Sequence, residues 1–301
     1  MTQTKQQLSL LGWATAAYFV SAQLIAGVLM AIPGVMDSIY LTMLCNDLAV
    51  YGLGPLILWL MIRRVPKGPV PSASLSPRAF GRTAIYALGM GYLFNYVTTL
   101  VIMAVEAISG QSTSNVLENQ LSEMPAWLAV LAVGVIAPVC EELIFRRLLL
   151  DRLRPFGDRC AIWISALAFG LFHMNLYQIL YAVVLGLIFG GVVVKTGKLW
   201  HVIVFHAIIN NFSLLISYLY PLFEVGSTGE AVFNACTLLV VLAAIVFAIV
   251  CFVRYRRSYR FQPPLYPITA AEAAKLALKC PGLWVTAVIG LGMGILVIFV
   301  A

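Results

Sequence analysis

AWLAVLAVGVIAPVCEELIFRRLLL, residues 126–150, is an apolar run whose only charges, Glu141, Glu142, Arg146 and Arg147, crowd into one short stretch. An uninterrupted apolar run of about 18 residues or more reads as a helix crossing a bilayer. Each unpaired charge near the bilayer centre costs about 2.5–3.5 kcal/mol, so these four must be paired or carried toward an end. Glu142 and Arg146 stand four apart with the acid first, the favourable order for a helical ion pair. Glu141 points about 100° away from Glu142 and requires a different partner. Arg147, nearer the end of the run, is expected to snorkel.

The rest of the chain has the same character. Of 301 residues, 62% are hydrophobic and 10% charged, against about 45–50% and about 25% in soluble domains. The expected fold is all-α, a polytopic transmembrane helix bundle of about 8–9 spans. The apolar runs are 10–33, 40–62, 82–108, 126–150, 176–194, 199–219, 231–253 and 282–300, with a shorter one at 160–173. They are helix-length and lack the ten-residue alternation of outer-membrane strands, so residues 1–301 read as a single membrane domain. Residues 124–220 form its functional core, and 10–108 and 231–300 its supporting spans.

The formal net charge is +7, but the cations lie beside the spans instead of forming a face for nucleic acid, so no nucleic-acid partner is expected. Arg63, Arg64, Lys67, Arg78 and Arg82 follow one span; Arg152, Arg154 and Arg159 another; Lys195 and Lys198 a third; Arg254, Arg256, Arg257 and Arg260 a fourth. The alternate loops hold Glu118 and Glu123, or Glu224 and Glu230. The positive-inside rule then places the amino terminus in the cytoplasm, and a nine-span count puts the carboxyl terminus outside. The basic loops also suit anionic membrane lipids. The first run, with Lys5 as its nearby cation, reads as a retained helix and not a cleaved signal, and a bacterial inner membrane is the expected location. The loop containing TAAEAAKLALK offers Thr269 and Glu272 as a capping box for a short interfacial helix. The six cysteines show no metal-ligand spacing, and most of them read as small buried hydrophobes.

All three histidines, His173, His201 and His206, fall in the functional core. At 1.5 Å per residue from the basic ends of their helices, Glu141 lies roughly 20 Å deep, His173 roughly 22 Å, His206 roughly 12 Å and Asn210 roughly 18 Å. His206 and Asn210 share a helix face, whereas His201 lies toward the membrane edge in a structural or interfacial role. Acid, imidazole and amide from three spans at similar depth can form a site. A carboxylate in a low-dielectric setting is a competent general base near neutral pH, and Glu141 with His173 could activate a water. His206 and Asn210 could donate to the oxygen of a carbonyl under attack. Other proteolytic designs fit worse. There is no GxSxG, Ser165 is explained by a helix–helix hydrogen bond, Asp47 is the only aspartate well inside a span, and HExxH is absent. A transporter or channel using the same buried polar layer as a relay, and a non-catalytic scaffold, are the alternatives. The first would carry paired broken helices or an internal repeat, and neither is evident.

Three motifs carry a family resemblance: EELIFR from Glu141 to Arg146, FGLFH ending at His173, and HAIIN from His206 to Asn210. In that order they resemble the EExxxR, FxxxH and HxxxN motifs of the CAAX prenyl protease and bacteriocin-processing family of intramembrane endopeptidases, also called CPBP or ABI. The resemblance covers residues 124–220. It implies that Glu141 and His173 activate water, that His206 and Asn210 stabilise the oxyanion, and that Glu142 and Arg146 orient the site. It also implies a peptide or lipid-modified protein as substrate. The family is often labelled metalloprotease; one Glu and two His could ligate zinc with an open position, while a glutamate-dependent mechanism without a cofactor is the favoured account.

Overall fold

A computed structural model describes residues 2–255 and 261–300. Arg256, Arg257 and Arg260, read above as topology signals, lie outside the described residues. Among the described residues eleven helices follow one another: α1 (Thr2–Met30), α2 (Ile39–Ile62), α3 (Pro77–Ser109), α4 (Val116–Glu123), α5 (Ala126–Phe156), α6 (Asp158–Phe172), α7 (Leu176–Thr196), α8 (Leu199–Leu219), α9 (Thr228–Tyr255), α10 (Ala270–Leu278) and α11 (Pro281–Val300). The described residues contain no strand. The chain is a multi-pass helical membrane bundle, as its composition predicts.

Among the described residues the span count reaches eight, the lower of the expected eight to nine, if one bent helix pair is counted as a single span. Seven helices, α1, α2, α3, α5, α7, α8 and α9, are long and apolar enough to cross a bilayer, and α10 with α11 makes an eighth if that pair, bent by 58°, counts as one span. The run at 160–173 becomes α6, only 15 residues long. At 1.5 Å per residue it spans about 22 Å, short of the ~30 Å hydrocarbon core. The residue directly after it is His173. Backbone that leaves the helix at membrane depth must be shielded by protein. Met174 and Asn175 in this turn are buried, and the Asn175 carboxamide accepts from the Tyr177 amide to start α7. α7 then returns alongside α6, packed so closely that a Cβ on Gly186 would stand 2.8 Å from Ala166 Cα. Small residues at such crossings let helices associate where lipid supplies no hydrophobic drive.

Three stretches are wound as π-helix: Leu48–Leu53 in α2, and Ala132–Ile136 and Leu143–Leu150 in α5. The wider i→i+5 turns upset the normal backbone pairing, and side chains from neighbouring helices bond carbonyls in all three. Tyr18 Oη donates to Val50 O (3.1 Å), Asn210 Nδ2 to Val133 O (2.8 Å), Asn211 Nδ2 to Gly134 O (2.9 Å) and Ser165 Oγ to Phe145 O (2.9 Å). Gly134 has to be glycine for this contact, because a Cβ there would lie 2.5 Å from Asn211 Oδ1. Asn211→Leu is expected to strand the Gly134 carbonyl at a cost of about 1–3 kcal/mol, read as a lower unfolding midpoint in detergent.

The basic loops are gathered at one end. Gly68 N donates to Asp151 O (2.7 Å), Ala73 N to Thr196 O (3.1 Å) and Leu265 N to Pro155 O (2.9 Å), while Arg154 bonds Pro69 O and pairs with Asp158 at 3.2 Å. Arg147 does not snorkel. α7 ends in a left-handed Gly197, and Arg147 donates to the Gly197 carbonyl (2.5 Å) while its other arm reaches Asp151 at 3.4 Å. A carbonyl left over by the helix end thus takes the place of water. At the same end Thr269 and Glu272 form the expected capping box.

Candidate active site

The four charges in α5 divide into two sets. Glu142 Oε2 accepts from Arg146 Nε at 2.8 Å, and neither side chain is exposed to any degree. The guanidinium also donates to Ser165 Oγ (3.0 Å) and lies 5.0 Å from the centre of the Phe169 ring, so its remaining face is covered by π-density. Ser165 and Phe169 on α6, and His173 just past its end, recur every four residues and share one face. The other carboxylate oxygen of Glu142, Oε1, meets His206 Nδ1 at 3.2 Å. Glu142 therefore ties α5 to α8 as well as to Arg146.

Glu141 points elsewhere, as the helix geometry requires. Its Oε1 accepts from Tyr51 Oη at 2.8 Å. Its Oε2 is buried with no hydrogen-bond partner among the described residues, and it stands 3.9 Å from His173 Nε2 and 3.9 Å from His206 Nε2. The opposite nitrogens set the chemistry of both rings. His173 Nδ1 lies 2.9 Å from the Phe169 carbonyl, which can only accept, and His206 Nδ1 faces a carboxylate. In neutral rings both Nδ1 atoms therefore carry the hydrogen, and both Nε2 atoms offer a lone pair. Two nitrogen lone pairs thus converge on one carboxylate oxygen, each nitrogen 3.9 Å from Glu141 Oε2. A water bridges polar atoms separated by this distance and is held when it has two or more partners.

Of the six residues singled out in the sequence, Glu141, Glu142, Arg146, His173 and His206 form one connected cluster. Asn210 sits one turn beyond His206 but spends an N–H on Val133 O and contacts none of the other five by hydrogen bond. His201 lies apart, buried against Trp200 and Phe80 with ring centres 4.2 and 5.7 Å away. Ser165 makes the buried helix–helix bonds expected of it. The rise arithmetic set His206 about 8 Å shallower than Glu141, whereas their side chains are neighbours. The π winding from Leu143 to Leu150 shortens α5 between Glu141 and its basic end, so that arithmetic overstates the depth of Glu141.

Tyr51 and Asn211 were not legible as site residues. Tyr51 is an ordinary interfacial-looking aromatic in an apolar run. Asn211 is chemically identical to its neighbour, and only the hydrogen bond to Gly134 separates their roles.

The family label raises the question of a metal. Among the described residues no group of three or more His, Cys, Asp or Glu side chains is arranged to hold one. The three convergent donors are of suitable chemical type, but they do not form a ready coordination shell, and no step below is routed through a metal.

No curated protein and no solved structure matches the chain. Residues 123–212 match the family model described as type II CAAX prenyl endopeptidase Rce1-like. That interval holds all three motifs and every residue of the cluster except Tyr51. Over residues 123–212, then, the chain is similar to the type II CAAX prenyl endopeptidases.

Proposed function

We propose that the protein is an intramembrane endopeptidase in which Glu141 and His173 activate a water for attack on a peptide carbonyl. The observation that carries this reading is Glu141 Oε2, buried, without a partner and 3.9 Å from two imidazole nitrogens. A water there donates one hydrogen to Glu141 Oε2 and the other to His173 Nε2. As its oxygen bonds to the carbonyl carbon, Glu141 takes the proton and negative charge moves to the carbonyl oxygen. Asn210 has a second N–H left to donate to that oxyanion, and His206 can donate from Nε2 only in its doubly protonated form, since Nδ1 is committed to Glu142. The C–N bond then breaks as Glu141 returns the proton to the departing amine, leaving a carboxyl and an amino terminus. Glu142 and Arg146 fix His206.

Residues 124–220 act as the catalytic core in this reading. The substrate class is a peptide or lipid-modified protein, with a prenylated one indicated by the family. The amino terminus lies on the cytoplasmic side of a bacterial inner membrane, where the basic loops meet anionic lipid.

A quenched, prenylated peptide in detergent tests both activity and cofactor. Cleavage is expected, at the same rate with and without chelator. Loss with chelator that zinc restores would overturn the reaction as written, and failure of the folded protein to cleave any lipid-anchored peptide would overturn the enzyme.

A further inference from the structure

Glu141 has two oxygens, and the reaction above uses one. The other is occupied by Tyr51, a residue 90 positions away in sequence and outside the family-matched interval. Tyr51 sits in the π-wound part of α2, and its ring packs against Phe172 with centres 6.5 Å apart. Phe172 in turn lies 5.8 Å from the His173 ring and 5.2 Å from Phe145 on α5. One aromatic cluster therefore holds the tyrosine, the turn bearing His173 and the helix bearing Glu141.

We propose that Tyr51 is a positioning residue: by donating to Glu141 Oε1 it fixes the carboxylate plane so that Oε2 alone faces His173 and His206 and alone exchanges the proton. A carboxylate rotates freely about its terminal torsion and has about four lone-pair sites, so without a fixed donor either oxygen could turn toward the imidazoles. The hydroxyl removes that freedom. Glu142 shows the same device, with one oxygen on Arg146 and the other on His206. The difference is that Tyr51 leaves the second oxygen of Glu141 unspent. This inference rests on Glu141 being the base.

The test uses the full-length protein in detergent with Tyr51→Phe and Tyr51→Leu. Tyr51→Phe keeps the ring among Phe172 and its neighbours and removes only the hydroxyl. Its kcat per folded molecule is expected to fall about 10- to 100-fold, the scale of a small misplacement of a reacting group, with KM within about twofold and a modestly lower unfolding midpoint from the lost hydrogen bond. Tyr51→Leu should lose at least as much kcat and lower the midpoint further. The infrared carboxylate band that disappears in Glu141→Gln should shift in frequency in Tyr51→Phe, which reads the hydrogen bond without any turnover. A wild-type kcat in Tyr51→Phe, a kcat loss that merely follows the folded fraction, or an unmoved Glu141 band overturns the inference. If the shifted band is found in a protein that cleaves nothing, the positioning contact stands and the protease reading fails.

Discussion

Glu141→Gln is expected to lower the rate of peptide cleavage by about 10²- to 10⁴-fold, the contribution of a positioned general base. The amide keeps the carboxylate's shape and can still accept from Tyr51, while offering the water no base. Glu142 does not replace it, since both its oxygens are committed to Arg146 and His206. The variant should insert and unfold like the parent, because no ion pair is broken. Cleavage of the quenched peptide, measured beside the unfolding midpoint, checks both statements. Near-parental turnover would remove Glu141 from the chemistry.

Arg146→Met should damage the fold itself. Arg146 and Glu142 have no exposed side-chain surface, and taking one charge away leaves the other buried without its main partner. Breaking such a pair costs about 3–5 kcal/mol, a large share of the ~5–15 kcal/mol that holds a typical protein together. Most of the variant should be lost to aggregation on extraction. The double replacement Glu142→Leu with Arg146→Met is expected to recover much of that stability, since two apolar side chains of similar volume carry no desolvation debt. Activity should not return with it, because His206 Nδ1 then has no carboxylate to hold it. A single variant as stable as the parent, by yield and unfolding midpoint, would contradict the buried-pair account.

The site was legible in the sequence to the extent that it is local. The pairing of Glu142 with Arg146 follows from helical spacing, as do the shared faces of His206 with Asn210 and of Phe169 with His173. The separation of Glu141 from Glu142 follows as well, and it required a second partner without naming one. What escaped depends on contacts between distant segments. Nothing in composition marks Tyr51 as the residue that reaches Glu141 across 90 positions. Arg147 finds a carbonyl at the end of another helix, 50 positions on, and only the packing of α5 against α7 makes that bond available. The upper count of nine included α6, which is shorter than a candidate span. Hydropathy alone does not say how long a helix a short apolar run will form.

The π windings alter what a change in chain length would do to this protein. In an evenly wound helix, loss of one residue turns everything beyond it by about 100°, which would swing a catalytic side chain into lipid. A stretch that already holds an additional residue per turn can give one up, tighten to ordinary winding and leave the faces on either side where they were. Glu141 lies between two such stretches, 132–136 and 143–150, so the helix most sensitive to rotation is also the one with slack built in on both sides. The loss would instead fall on Asn210, Asn211 and Ser165, whose acceptors would be drawn back into the helix.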